Sequence, residues 1–392
     1  DMLKKEREHK DKLPGVKIAE EIGLTTDLKE AISGRDMLVV AVPSPYIRST
    51  AKSMAPYVED GQLLVSVAKG IEEGTLMTLS AILEQEIPQA EVAVLCGPSH
   101  AEEVGIGLPT TLVAGAKRKE TAELVQSTFM NEVLRVYTSP DVLGMELGAS
   151  LKNVIALAAG MADGLGYGDT TKAALITRGI SEIGRLALKM GAKYETLSGL
   201  TGIGDLIVTC ASKHSRNRKA GMLIGEGYTM EEAMKEVKMV VEGVYSAKAA
   251  MELSAKYDVS MPIIEQVNEV LFDGKSAKEA VMDLIHSQNE FALSSSVDQL
   301  RGKLSDEIKA LRNDIIYEIA FIESALDDPE HISLKGYTER LDKKLEQLIS
   351  RVRKLLATAD SGKLIKEGIK TVIVGKPNAG KSSLMNLLVG ED

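Results

Sequence analysis

Short apolar runs alternate with helical stretches over the first third of the chain. "DMLVVAV" (Asp36 to Val42), "QLLVSVA" (Gln62 to Ala68) and "AEVAVL" (Ala90 to Leu95) each end in turn residues: Pro43-Ser44, Lys69-Gly70 and Gly97-Pro98. Continuous apolar strands separated by helices predict a parallel sheet covered on both faces. From Pro140 the pattern turns helical, with Pro140 and Asp141 suited to a first helical turn. The Gly- and Ala-rich "ELGASLKNVIALAAGMADG" predicts closely packed helices. From Val297, apolar residues at 297, 300, 304, 308, 311, 315, 319, 322 and 326 fall in steps of three and four. That spacing predicts one long amphipathic helix, and such stripes usually form core. After "DDPEHISLKGY" a second helix carries Leu341, Leu345, Leu348, Val352 and Leu355 on one face. The pair reads as a helical hairpin or bundle with no site of its own.

The 392 residues allow two to three domains. A net charge of −10 argues against a nucleic-acid surface over the whole molecule. Cys96 and Cys210 lack C-x-x-C spacing and fit neither a disulfide framework nor a zinc site. No apolar stretch is expected to approach a membrane span and no signal peptide is visible, so a cytoplasmic protein is the default.

Lys152 is the first candidate for chemistry. On a helix its neighbours are Gly148, Ala149, Ile155 and Ala156, a small apolar face that packs closely. A lysine desolvated there has a lowered pKa and suits proton transfer near neutrality. The commoner alternative is a snorkelling lysine with its ammonium in water. In "GLTGIGDLIVTCASKHSRNRKAG" a Gly-rich lead-in brings the backbone close before Asp205. Ser215, Arg216 and Asn217 then offer hydroxyl, guanidinium and amide in a row, suited to phosphate. A solvated basic helix start reads equally well. Gly97, Ser99 and Ala101 lie at a strand's C-terminal end, where open α/β sheets bind ligands; the alternative is a plain turn.

Near the C-terminus, Thr371 to Val374 reads as a strand, and Gly375 to Ser382 spells G-x-x-x-x-G-K-S before an apolar helix start. This is the phosphate-binding loop in its expected context. Backbone N–H groups would cradle phosphates, Lys381 would reach the outer ones, and Ser382 would bind Mg²⁺.

"LPGVKI", "TTDLKEA", "AVPS", "AKGIE", "CGPSHAEE", "ELGASLKNV", "GDLIVTC", "SRNRKAG" and "VVEGVYSA" occur in this order. From about Leu13 to Ile285 the chain resembles the bacterial (GpsA-type) NAD(P)-dependent glycerol-3-phosphate dehydrogenases. The resemblance implies hydride transfer between NAD or NADP and dihydroxyacetone phosphate or glycerol 3-phosphate. It implies a homodimer and Lys152 as the catalytic proton-transfer residue. By the same resemblance Lys69, Gly97, Ser99, Lys152, Asp205, Ser215, Arg216 and Asn217 contact substrate. Lys69, Ala101, Arg216, Val240 and Glu242 lie near the cofactor. The family's opening strand and G-x-G-x-x-G turn have no counterpart ahead of Asp36, so the doubly wound, Rossmann-like sheet is expected to be incomplete and the activity impaired.

"QNEFALSSSVDQL", "YEIAFIESALDDPEHIS" and "GIKTVIVGKPNAGKSSLMNLLVGE" resemble the tRNA-modification GTPases (MnmE/TrmE) over about Gln288 to Asp392. That resemblance implies GTP at Gly375, Asn378, Ala379, Gly380, Lys381, Ser382 and Ser383, with Asn378 at a monovalent-cation position. The switch segments and the guanine-reading Asn-Lys-x-Asp do not occur, so neither GTP hydrolysis nor tRNA binding is expected. "EAVMDLI" is compatible with both families and marks the expected join. The expected organisation is an incomplete dinucleotide-binding domain (1–138), a helical substrate domain (139–285), an MnmE-like helical domain (286–369) and a truncated GTPase domain (370–392). The alternative to a dehydrogenase is a tRNA-modification GTPase fragment or a catalytically inert interaction protein.

Overall fold

The structure is a computed structural model that describes residues 2–286, 310–325 and 335–367. The chain divides into two compact units, Asp1–His286 and Ser287–Asp392. The phosphate-binding loop, with Asn378, Lys381 and Ser382, lies outside the described residues.

After two short helices, Met2–Glu6 and Leu28–Ile32, the first unit builds a five-stranded sheet in the spatial order β1 (Met37–Val40), β2 (Leu63–Ser66), β3 (Glu91–Cys96), β4 (Thr110–Ala116) and β5 (Leu134–Ser139). β1, β2 and β3 are parallel, with Leu38 beside Leu64 and Leu64 beside Val92. The expected all-parallel sheet needs correction: β4 runs antiparallel to β3, with Cys96 opposite Val113. The link between them carries only a five-residue helix, Ala101–Gly105. At 1.5 Å per residue that helix is too short to recross a six-residue strand, so the chain turns back alongside β3. Strands β4 and β5 were not expected. β4 opens on two threonines and ends in the small residues Ala114, Gly115 and Ala116, and β5 buries only Val136 fully, so neither shows a run of large apolar side chains.

Alternation along the strands sends side chains to two cores. Leu38, Val40 and Leu64 pack under helices α1 (Ile47–Met54) and α2 (Leu79–Glu86). Val65, Ala93, Leu95 and Val136 pack under α3 (Lys119–Phe129) on the other face. Both faces are therefore covered, as expected. β1 pairs with β2 alone among the described residues, and Val39 is 47 % exposed.

The helical half is organised around α4 (Val142–Gly164), with Gly144 to Ala162 buried throughout. Asp141 precedes the helix as its N-cap, accepting a bond from the Gly144 N–H, rather than forming part of its first turn. α4 also corrects the expectation that no apolar stretch reaches spanning length. Among the described residues it is the one helix long and apolar enough to cross a membrane, and 89 % of that window is buried inside the protein. It is the core helix of the unit. Around it lie α5 (Asp169–Lys189), α6 (Asp205–Ala211), α7 (Arg216–Gly225), α8 (Glu242–Tyr257) and α9 (Pro262–Phe272). α4 and α7 meet backbone to backbone. A Cβ at Gly160 would lie 2.1 Å from the Arg218 carbonyl oxygen, and one at Gly221 would lie 2.1 Å from that of Leu157. The small-residue pattern of "ALAAGMADG" is thus a close helix crossing.

In the second unit, residues 310–325 are helical and are followed by the helix Tyr337–Glu367. The two run antiparallel. Tyr337 donates to a Glu318 carboxylate oxygen at 2.9 Å and stacks on Phe321, while Arg351 pairs with Asp314 at 2.7 Å. Leu311, Ala325 and Leu348 are buried, but Ile315, Ile319, Leu345 and Val352 are more than two-fifths exposed. The apolar stripe is therefore only partly core among the described residues.

Candidate functional site

The carboxyl ends of β1, β2 and β3 lie along one edge of the sheet because the three strands are parallel. Ser44, Lys69 and Gly97 follow these ends, and this edge is where open α/β sheets bind ligands. α4 presents Lys152 to the same place.

Lys152 is 4 % exposed. Its Nζ donates to Asp205 Oδ1 at 2.5 Å and to Thr209 Oγ1 at 2.6 Å. Asp205 and Thr209 stand one turn apart on α6, so one helix face supplies both acceptors. The Thr209 hydroxyl donates its own proton to the Asp205 carbonyl at 2.6 Å, which leaves its oxygen to accept from Lys152. Two positions on the lysine nitrogen are therefore fixed, and the third N–H, or the lone pair of the neutral amine, is left for a ligand. α6 reaches Lys152 through the wide turn Leu200–Gly204. A Cβ at Gly148 would lie 2.6 Å from the Thr201 carbonyl oxygen, so only glycine allows this approach one turn ahead of Lys152.

Asp205 is shared. Its Oδ2 accepts from Lys69 at 2.8 Å, and Lys69 also donates to the Gly97 carbonyl at 2.9 Å. One carboxylate thus serves two lysines. Burial, reinforced by the Lys69 charge, pulls the Lys152 amine down to about 7, overriding the opposing effect of Asp205. Burial also works against the charge on Lys69, but Asp205 outweighs it and holds that amine above its ordinary value. The deeper lysine releases its proton first. The snorkelling alternative for Lys152 does not hold, because the ammonium is enclosed.

Of the remaining candidates, Ser99 is tied to this centre through Gly97 and Asn217 through Asn153, while no hydrogen bond links Arg216, Val240 or Ala101 to it among the described residues. Ser99 Oγ donates to the Gly97 carbonyl at 3.3 Å. Ser215 caps α7 by accepting from the Arg218 N–H. Asn217 donates to Asn153 Oδ1 at 3.0 Å and accepts from the Gly243 N–H at 2.8 Å. Its amide therefore stitches α7 to α4 and α8 beside Lys152, with one N–H left over. Arg216 is exposed, with no hydrogen bond or ion pair among the described residues. Glu242 accepts from the Ser44 N–H at 3.2 Å and from the Ser44 hydroxyl. Burial raises its carboxyl above the ordinary range, against the pull of those bonds. Val240 is half-buried in the turn ahead of Glu242, and Ala101 is exposed on the short helix after Ser99. Both cysteines are free and buried, their thiols pushed up to about 12 by burial.

Sequence reasoning missed Thr209, Asn153 and Ser44. The signal for Thr209 was its spacing of four from Asp205. Asn153 and Ser44 carry none, since their partners are 64 and 198 residues away.

The family model described as the NAD-dependent glycerol-3-phosphate dehydrogenase C-terminus matches residues 141–282. The one described as the N-terminus of that enzyme matches residues 1–122, so the likeness reaches the first residue rather than starting near Leu13. A third, the MnmE helical domain, matches residues 276–390. The chain is 71% identical over 295 residues to glycerol-3-phosphate dehydrogenase [NAD(P)+] of Agathobacter rectalis, covering 75% of this chain and 88% of that one. It is 53% identical over 281 residues to the Bacillus subtilis protein of the same name, covering 71% and 81%. A solved structure, glycerol-3-phosphate dehydrogenase from Coxiella burnetii, superposes with a TM-score of 0.71 at 33% identity over 73% of this chain and 87% of that one. Fold, site and these likenesses define a nicotinamide-dependent oxidoreductase. The chain belongs to the family of NAD(P)-dependent glycerol-3-phosphate dehydrogenases.

Proposed function

We propose that Lys152 is the proton-transfer group of this dehydrogenase. The observation that carries the proposal is a buried amine near pH 7, fixed on Asp205 and Thr209 with one position open. In the reductive direction Lys152 gives its proton to the carbonyl oxygen of dihydroxyacetone phosphate, and in the oxidative direction it takes the proton back from the hydroxyl of glycerol 3-phosphate. Asp205 holds the amine in place and balances the positive charge of the Lys69–Lys152 pair. Lys69 and the backbone around Gly97 and Ser99 bound the substrate on the sheet side. Ser215, Arg216 and Asn217 bound it on the α7 side, with Arg216 at the phosphate.

Lys69, Ala101, Arg216, Val240 and Glu242 would hold the cofactor's nicotinamide end. The donor set fits a dinucleotide, since Arg216 is an exposed cation with no hydrogen bond or ion pair among the described residues and Ser44–Glu242 ties α8 to the strand-end edge. The nicotinamide, when bound, supplies or accepts the hydride. In domain terms, we read residues 1–138 as the sheet domain and 139–285 as the helical one. The MnmE match and the antiparallel hairpin support an MnmE-like helical domain beyond.

Steady-state NAD(P)H oxidation with dihydroxyacetone phosphate tests the assignment. Lys152→Ala should lower kcat by roughly 10²–10⁴, with a smaller change in KM. A kcat within a few-fold of the parent would overturn it.

A further inference from the structure

His100 follows Ser99 in the loop after β3, and His214 immediately precedes Ser215 and Arg216. Their rings lie 5.9 Å apart between centroids, tilted by 49°. The two imidazoles therefore bring together the two loops assigned to opposite sides of the substrate. Nε2 of His100 is buried and has no hydrogen-bond partner among the described residues. A buried ring nitrogen without a partner is costly unless a ligand or water meets it. The charged groups acting on His100 are Lys152 and Lys69, with Glu102 and Glu103 on its own short helix, and His214 lies opposite. Burial lowers its pKa and the Lys152 charge adds to that, while the two glutamates work the other way.

We propose that His100 and His214 form a second anion-binding arm of the substrate site, in which His100 grips the phosphomonoester from the side opposite Arg216 and His214 from the Arg216 loop, with His100 taking up a proton as the phosphate arrives. This rests on the reading of the Lys152 centre as the substrate site. A phosphate dianion placed against His100 offsets the Lys69 charge and what charge Lys152 retains, both of which disfavour the imidazolium, and a charged N–H to phosphate bond then forms. Binding and proton uptake are thereby linked. The competing reading is a pair of rings that merely fills space. It differs in one respect: phenylalanine at either position would serve equally well.

Isothermal calorimetry of the full chain with glycerol 3-phosphate at pH 7.5, in two buffers of different ionisation enthalpy, measures affinity and protons together. The parent should bind with net proton uptake. His100→Phe should bind about ten-fold or more weakly, the loss expected for one charged hydrogen bond, and should take up measurably fewer protons, with its melting temperature kept. His214→Phe should weaken binding in the same direction. Titration with NADH or NADPH alone should be unaffected by either change. Binding that falls with Arg216→Ala but stays within two-fold in His100→Phe, with the same proton count, overturns the histidine arm and leaves the Lys152 site standing. A loss confined to the dinucleotide likewise overturns it by placing the arm at the cofactor. Glycerol 3-phosphate binding absent from the parent, or indifferent to both Arg216→Ala and Lys152→Ala, overturns the site reading and the arm with it.

Discussion

Gly160 of α4 lies directly against the Arg218 carbonyl of α7, at a distance where a Cβ would sit 2.1 Å from the oxygen. No rotamer relieves such a contact, because both partners are backbone. Gly160→Ala must push the helices apart, and overpacking of this kind costs about 1–3 kcal/mol. It should also loosen Ser215 and Asn217, which α7 carries. Thermal unfolding should show a melting temperature several degrees lower, and an unchanged value would mean that the crossing is slack.

Arg216 should fail differently from Lys152. The phosphate does not react, so removing its partner should raise KM first, though remote binding energy also costs some kcat. On glyceraldehyde, which has no phosphate, Arg216→Ala should cost less than on dihydroxyacetone phosphate, leaving only its share at the cofactor, whereas Lys152→Ala should cost about as much on both. Kinetics on both substrates check this, and an Arg216→Ala defect of equal size on glyceraldehyde would contradict it.

The depressed Lys152 amine has a stability consequence. In the folded chain it titrates near 7, against an ordinary 10.5. Between these values the unfolded chain binds the extra proton, so stability rises with pH across that window. Lys152→Met removes the cost of burying this amine beside the Lys69 charge and leaves Asp205 paired with Lys69, so the variant should gain on the parent where the amine is charged. Its gain over the parent should be largest below pH 7 and shrink toward pH 10, as read from denaturant midpoints. A gain that grows with pH would contradict the assignment.

Glu182 of α5 behaves in the opposite sense. It is fully buried and accepts from the N–H groups of Ile263, at 3.0 Å, and Ile264 at the start of α9, yet burial raises its carboxyl to about 7. A raised carboxyl contributes stability that is present below its ordinary value of 4.5 and lost as pH rises through 7. The loss is at most about 3 kcal/mol. Glu182→Gln should flatten the decline in unfolding free energy between pH 5 and 8. An unchanged slope would show that Glu182 is not its source.

Much of this was legible in the sequence because it is local. Three strands announced themselves as apolar runs, the α4 crossing as a small-residue pattern, and Lys152 as a lysine on another small, apolar face of the same helix. β4 and β5 were not legible, because Gly, Ala and Thr dilute one and exposed polar residues the other. The decisive feature of the site, one carboxylate between two lysines, joins Lys69, Lys152 and Asp205 across 136 residues. Spacing alone cannot show such a contact. The resemblance named the three residues, and the fold shows why they act on one another.

The central claim is that Lys152 is an enclosed amine poised near neutrality. Lysine-selective ¹⁵N labelling, with the Nζ resonance assigned by its loss in Lys152→Arg and followed from pH 5 to 11, measures this directly. A midpoint near 7 is the predicted result. A midpoint at about 10 or above, the range of a solvated lysine, would contradict the account.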